Sequence, residues 1–308
     1  MNVLLPNIDI IESYLRRTGD LLSILLIDRT TKKNIIWATD SYEDRGNKFL
    51  PKNHILSEFV TGKYGMLIQP RAAKNIVEQR KRTKDKAEVF TPLKIIDRIN
   101  KVMDLHGKRV DKKNWQNYVH ELKLEITCGE APFIVTRYNP TANTDRIIKL
   151  DNRVGFLDKK LKVVSKYCKD KDDWIFWAKE AFKASYGYEW QGDNVLLARE
   201  NLLYTLIDYH EAKFKIPPSI SIQKEFAEII SWNIFQMDGL KYVVPMSCHH
   251  ENTVTPSKLT LFGEIPAIVE EHECEGCKFN RPDKHNGKYV KIMDWEKNKI
   301  VRFVDIVL

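Results

Sequence analysis

Nothing in this chain of 308 residues is apolar for long enough to cross a bilayer. Its opening stretch, Met1 to Asp9, lacks a signal-peptide pattern, so no membrane partner is expected. Cysteine is scarce as well. The five residues are odd in number and irregularly spaced, which argues against a disulfide framework and for a reducing, cytoplasmic setting. What remains is 43% hydrophobic and 30% charged, a soluble globular composition with core enough for one large domain or two smaller ones. The net charge of +8 suits a polyanionic partner without establishing one.

Taken in order, Ile8 to Arg17 has helical spacing, and Leu21 to Ile27 with Asn34 to Ala38 reads as a hairpin. Arg71 to Lys86 is the most basic stretch, with seven Lys/Arg against Glu78 and Asp85. It could neutralise several DNA phosphates, or be a solvated helix face or linker. Thr91 before Pro92 suggests a helix start, Thr as N-cap and Pro as first helical residue, leading a periodic run from Leu93 to Leu105. Such an N-terminus can hold a carboxylate, although a plain capped helix reads the same way. Lys123 to Val135 reads as a strand ending in a small-residue turn at Thr127, Cys128, Gly129 and Ala131, where a ligand can approach the backbone. Arg137 to Asp170 is polar, with a short apolar run at Leu161 to Val164. Asp172 to Ala184 is expected to be a helix with an aromatic face. It is followed by a strand, the acidic Glu189, a turn and an amphipathic helix. An acid at the end of a second strand commonly binds ribose hydroxyls in doubly wound folds; otherwise Glu189 is a surface acid.

Three of these segments resemble adenine-N6 DNA methyltransferases, and the wider chain resembles the modification (M) subunit of restriction systems. Glu125-Ile-Thr-Cys-Gly-Glu-Ala-Pro-Phe133 is similar to the family loop Asp-Pro-Ala-Cys-Gly-Ser-Gly-x-Phe that cradles S-adenosylmethionine (SAM). Glu125 takes the acidic place; Cys128, Gly129 and Phe133 are matched; Glu130 and Ala131 depart. Phe90, Thr91 and Pro92 match an upstream element that contacts the methionine end of the cofactor. Tyr186-Gly-Tyr-Glu189 with the following Ala-Arg-x-Asn-Leu helix resembles the ribose-binding segment. There Glu189 would be the ribose ligand and Trp190 would pack on the adenine. Asn233 to Leu240 resembles a further segment, in which Asp238 would face the adenine's exocyclic amine, with Met237 standing where the family has Gly. Together with Thr127, these residues form the expected cofactor site.

The family's catalytic Asn/Asp-Pro-Pro-Tyr/Phe is missing. Lys241-Tyr-Val-Val-Pro-Met-Ser-Cys248 follows Asp238 with one proline, no preceding amide or acid and no following aromatic. Asn139-Pro140-Thr141 also lacks the aromatic and reads as a turn. No catalytic residue is assigned. No target-recognition domain of usual size is visible either. Near the C-terminus, Cys274-Glu-Gly-Cys277 has the spacing of a zinc knuckle, and Cys248 and His285 complete a candidate structural site, with free surface thiols as the alternative. Tyr289 to Trp295 and Ile300 to Val307 read as a terminal hairpin.

The expected fold is α/β, a Rossmann-like SAM-dependent methyltransferase domain over 86–245. A small N-terminal α+β unit with the basic segment (1–85) precedes it, and a Cys/His zinc-knuckle-like hairpin region (246–308) follows. The function the resemblance implies is methyl transfer from SAM to the N6 amine of adenine in DNA, with a specificity or restriction subunit as partner. A SAM-binding pseudo-enzyme acting as a subunit and a plain DNA-binding protein are the alternatives.

Overall fold

The computed structural model describes residues 20–74, 79–80, 82–84, 89–104, 110–141, 146–255, 257–260, 263–265 and 268–308. The expected helix over 8–17 and part of the basic stretch lie outside the described residues. The first described element is a helix, α1 (Leu21–Leu26), where the β-rich composition suggests a strand. Leu21, Leu22, Leu25 and Leu26 are all buried, and one helical turn and a half presents all four to the core. Only the single bridge Ile27 to Asn34 remains of the expected hairpin.

Next come α2 (Leu93–Met103) and α3 (Trp115–His120). Pro92 sits in the cap position of α2 with extended ψ and Thr91 makes no cap bond, so the helix starts one residue later than the sequence suggests. A three-stranded parallel sheet follows, in spatial order β1 (Lys123–Glu125), β2 (Ser185–Glu189), β3 (Ile234–Gln236). Lys123 stands opposite Ser185, and Gly187 opposite Ile234. The β1–β2 crossover holds α4 (Phe156–Tyr167) and α5 (Lys171–Lys183); the β2–β3 crossover holds α6 (Gly192–Phe214) and α7 (Ile220–Asn233).

The polar stretch over 137–170 is therefore not featureless. Leu157, Leu161 and Val164 bury one face of α4, while Arg153 and Arg137 share the Asp208 carboxylate at 2.6 and 3.1 Å. Asp170 caps α5 through the Asp173 amide at 2.9 Å. Trp174, Ala181 and Phe182 are buried, as the aromatic spacing suggests.

After β3 the chain forms the antiparallel pairs β4 (Glu251–Thr255) with β7 (Ile268–His272) and, between them, β5 (Lys258–Thr260) with β6 (Gly263–Ile265). A short helix, α8 (Glu275–Phe279), leads to the hairpin β8 (Lys291–Asp294) and β9 (Lys299–Arg302). The final turn is helical, α9 (Val304–Val307), rather than strand. One large core joins α1 to the crossover helices; a second packs Tyr188, Phe235 and Met237 against Val290, Ile292 and Phe303.

Lys160 on α4 is fully buried, and its ammonium donates to the carbonyls of Glu121 and Ala184, at 2.5 and 3.1 Å, at the entries to β1 and β2. Burial lowers its pKa to about 7. Above that pH the unfolded chain still holds a proton that the folded chain has released, so this residue's contribution to stability rises with pH; below it the folded state carries the full cost of the buried charge. Denaturant midpoints of wild type and Lys160→Met are expected to diverge in favour of the wild type as pH rises from about 6 to about 10. A difference that does not change with pH would show that Lys160 stays charged throughout.

Candidate cofactor cleft and metal site

The carboxyl ends of the parallel strands carry the residues singled out by sequence. The turn after β1 has positive φ at Thr127 (46°), Gly129 (53°) and Ala131 (62°). Glycine adopts this conformation freely, whereas a threonine or alanine there costs on the order of 1–2 kcal/mol each. Carboxylates anchor the loop at its entry, from within and from the next strand. Glu125 accepts the amides of Phe133 and Ile134 at 3.2 and 3.0 Å. Glu189, at the end of β2, accepts the Gly129 amide at 2.9 Å on one oxygen and those of Trp190 and Gln191 at 2.8 and 3.1 Å on the other. Glu130 accepts the Arg71 amide at 2.7 Å and the Tyr138 hydroxyl at 2.6 Å.

Burial raises the pKa of both Glu125 and Glu189, and the amide donors oppose that rise. Burial also pushes the Cys128 thiol well up, so it is a neutral wall rather than a nucleophile.

Phe90 lies over the loop, with ring carbons 3.3 and 3.4 Å from where a Cβ at Gly129 would be. The Arg71 guanidinium stacks on that ring at 4.9 Å. The result is a cleft of about 300 Å³ lined by Phe90, Thr91, Glu125, Thr127, Cys128, Gly129, Glu189 and Trp190. Gln191 and Asn194 join it, and no sequence pattern singled them out. Pro92 does not line it. Trp190 is partly exposed, and its indole N–H donates to the Ala38 carbonyl at 2.8 Å, which fixes the ring. Gln236 on β3 ties the same region together by exchanging hydrogen bonds with the backbone of Ile36 and donating to the Trp190 carbonyl. These links span 46 to 200 residues, so nothing in the local sequence announces them.

Asp238 does not line this cleft. It borders a second cavity, of about 200 Å³, which shares Trp190 as a wall and includes Lys241, His249, His250, Glu273, Cys248, Cys274 and Cys277. One Asp238 oxygen accepts the amides of Leu240 and Lys241, at 3.0 and 3.2 Å.

The metal ligands expected from sequence do come together. The donor atoms of Cys248, Cys274, Cys277 and His285 all lie within 4.8 Å of one another and could hold a zinc ion. His285 Nδ1 is 3.6, 3.7 and 3.7 Å from the sulfurs of Cys248, Cys274 and Cys277. A tetrahedral zinc with ordinary bond lengths separates sulfur from nitrogen by about 3.6 Å, so the four donors fit one. Burial and the nearby Lys241 ammonium lower the His285 pKa, favouring the neutral imidazole that ligates. Burial favours a neutral Cys274 thiol, but amide donors from Asn286 and Cys277 outweigh it and bring its pKa below the usual range. The other histidines stay apart, His250 pairing with Glu271 and His272 with Glu270.

In the basic stretch, Arg82 forms a buried ion pair with Asp193 at 2.8 Å and Lys74 is also buried, so neither can reach a phosphate. Arg80 and Lys84 are exposed. Asn139 closes an Asx turn onto Thr141. No protein-family model matches the chain, and neither does any curated protein or solved structure.

Gly276 makes the knuckle possible, because a Cβ there would sit 2.6 Å from the His285 ligand nitrogen. Gly276→Ala is expected to weaken zinc binding by at least tenfold in competition with a chromophoric chelator, at unchanged far-ultraviolet circular dichroism. Unchanged affinity would remove His285 from the ligand set.

Proposed function

We propose that the chain binds SAM in the cleft between Phe90, Gly129 and Glu189 and transfers its methyl group to the N6 amine of adenine in DNA. The observation that carries this reading is convergence. Segments around residues 90, 127 and 189 resemble SAM-binding motifs one by one, and their side chains line a single cleft at the carboxyl ends of adjoining parallel strands, where nucleotides bind in open α/β sheets. The finer fold reading, a Rossmann-like methyltransferase domain, belongs to the same proposal. In it the Phe90–Thr91–Pro92 element lies nearest the methionine end, Glu189 holds the ribose and Trp190 packs on the adenine, while Asp238 stands across the Trp190 indole in the neighbouring cavity.

SAM held there would supply an electrophilic methyl group, and Phe90, Thr91, Glu189 and Trp190 would hold it in place. Orientation of donor and acceptor accounts for much of such catalysis. The exposed Arg80 and Lys84 are available for DNA phosphates.

A second reading has a specific observation in its favour. The segment from Lys241 to Cys248 runs from Asp238 into the metal site and supplies no amide-and-aromatic pair for a flipped base. On that reading the chain binds SAM as a subunit of a restriction-modification or phage-defence complex, and a partner supplies the transfer.

Nucleoside mass spectrometry separates the two readings. DNA from methylase-deficient cells expressing the wild type should contain N6-methyladenine, and DNA from cells expressing Glu189→Ala should not. In parallel, the purified wild type should bind S-adenosylhomocysteine and the folded variant should bind it at least tenfold more weakly. Binding without a methylated base would favour the subunit reading; absence of binding would remove both.

A further inference from the structure

We propose that the metal knuckle and the cofactor cleft are coupled across the Trp190 indole they share, so that zinc and cofactor strengthen each other's binding through Lys241. This rests on the cofactor reading above and adds regulation to that site.

The second cavity is the meeting point. On one side stand Trp190, which also walls the cofactor cleft, and Asp238. On the other stand three of the four candidate metal ligands, Cys248, Cys274 and Cys277. One residue joins the two sides. The backbone amide of Lys241 donates to the Asp238 carboxylate at 3.2 Å, and its ammonium reaches the Cys277 sulfur at 3.3 Å. A thiolate bound to zinc keeps part of its charge, so this charge-assisted contact persists on metal binding and holds the turn that aims Asp238.

The knuckle is also stitched to the sheet beyond Lys241. Val243 pairs with both Asp238 and Tyr289, and the Tyr289 hydroxyl accepts the amide of the ligand residue His285 at 2.8 Å. With zinc in place, Cys248 and Cys277 are fixed to one point, and the cavity between them and Trp190 has a defined width. Without zinc, three cysteines and a histidine drawn from residues 248 to 285 have no common centre, and that wall loses its anchor.

Two sites coupled in this way must be coupled reciprocally. Zinc affinity of the full chain would be measured by chelator competition with and without saturating S-adenosylhomocysteine, and S-adenosylhomocysteine affinity by calorimetry with and without zinc. Each ligand should raise the other's affinity by the same factor, at least about fivefold. In Lys241→Met that factor should shrink towards one, while zinc still binds.

A factor of one in the wild type overturns the proposal. So does a factor that Lys241→Met leaves unchanged, which would trace the coupling to overall folding instead of this contact. If S-adenosylhomocysteine fails to bind the zinc-loaded chain, the cofactor reading itself falls and takes this inference with it; binding that ignores zinc removes the inference alone.

Discussion

The guanidinium of Arg199 ties together chain ends that the large core brings side by side. Fully buried on α6, it donates to the carbonyls of Leu25 and Ile27 at the end of α1, of Ser231 in α7 and of Ile234 at the start of β3. These carbonyls sit at helix and strand ends and lack regular partners, and a planar donor fork can serve several at once. Burial lowers the pKa of Arg199 to about 9, below the usual arginine range but still high enough for the group to stay charged near neutrality. Asn233 does similar work one layer away, its amide donating to the carbonyls of Phe182, Lys183 and Ser185 between α5 and β2. The positions of β2 and β3, and so of Glu189 and Asp238, depend on these two side chains.

Sequence reading recovers the elements whose cues are local. The α5 helix has its aromatic spacing. The strand before Glu189 and the long helix after it follow from the Tyr-Gly-Tyr-Glu and Ala-Arg-x-Asn-Leu segments. The Cys-x-x-Cys pair and its two distant partners could be read because thiols and imidazoles at knuckle spacing have few competing explanations. Elements without a local cue are missed. Four leucines within six residues fit a buried strand or a buried helix equally well, and the core decides for α1. The basic stretch gives no sign that Lys74 and Arg82 turn inward, because Asp193 lies more than a hundred residues away.

The two cavities show a finer limit of the same kind. Motif order puts Asp238 in line with Glu189 but cannot say whether one hollow or two lie between them. The structure separates them by the width of an indole, and Ala38 holds that indole in place. The candidate cleft and the cavity beside the candidate metal ligands thus share a single side chain.

The loop after β1 has a shape its own residues do not prefer. Thr127 and Ala131 stand in a conformation natural to glycine, in a loop held by hydrogen bonds that Glu125, Glu130 and Glu189 accept. Part of the instruction for the loop is therefore written elsewhere in the chain, in Glu189. The shape of this loop is thus a property of two neighbouring strands together, and a change at the end of the second would be felt in the turn that follows the first.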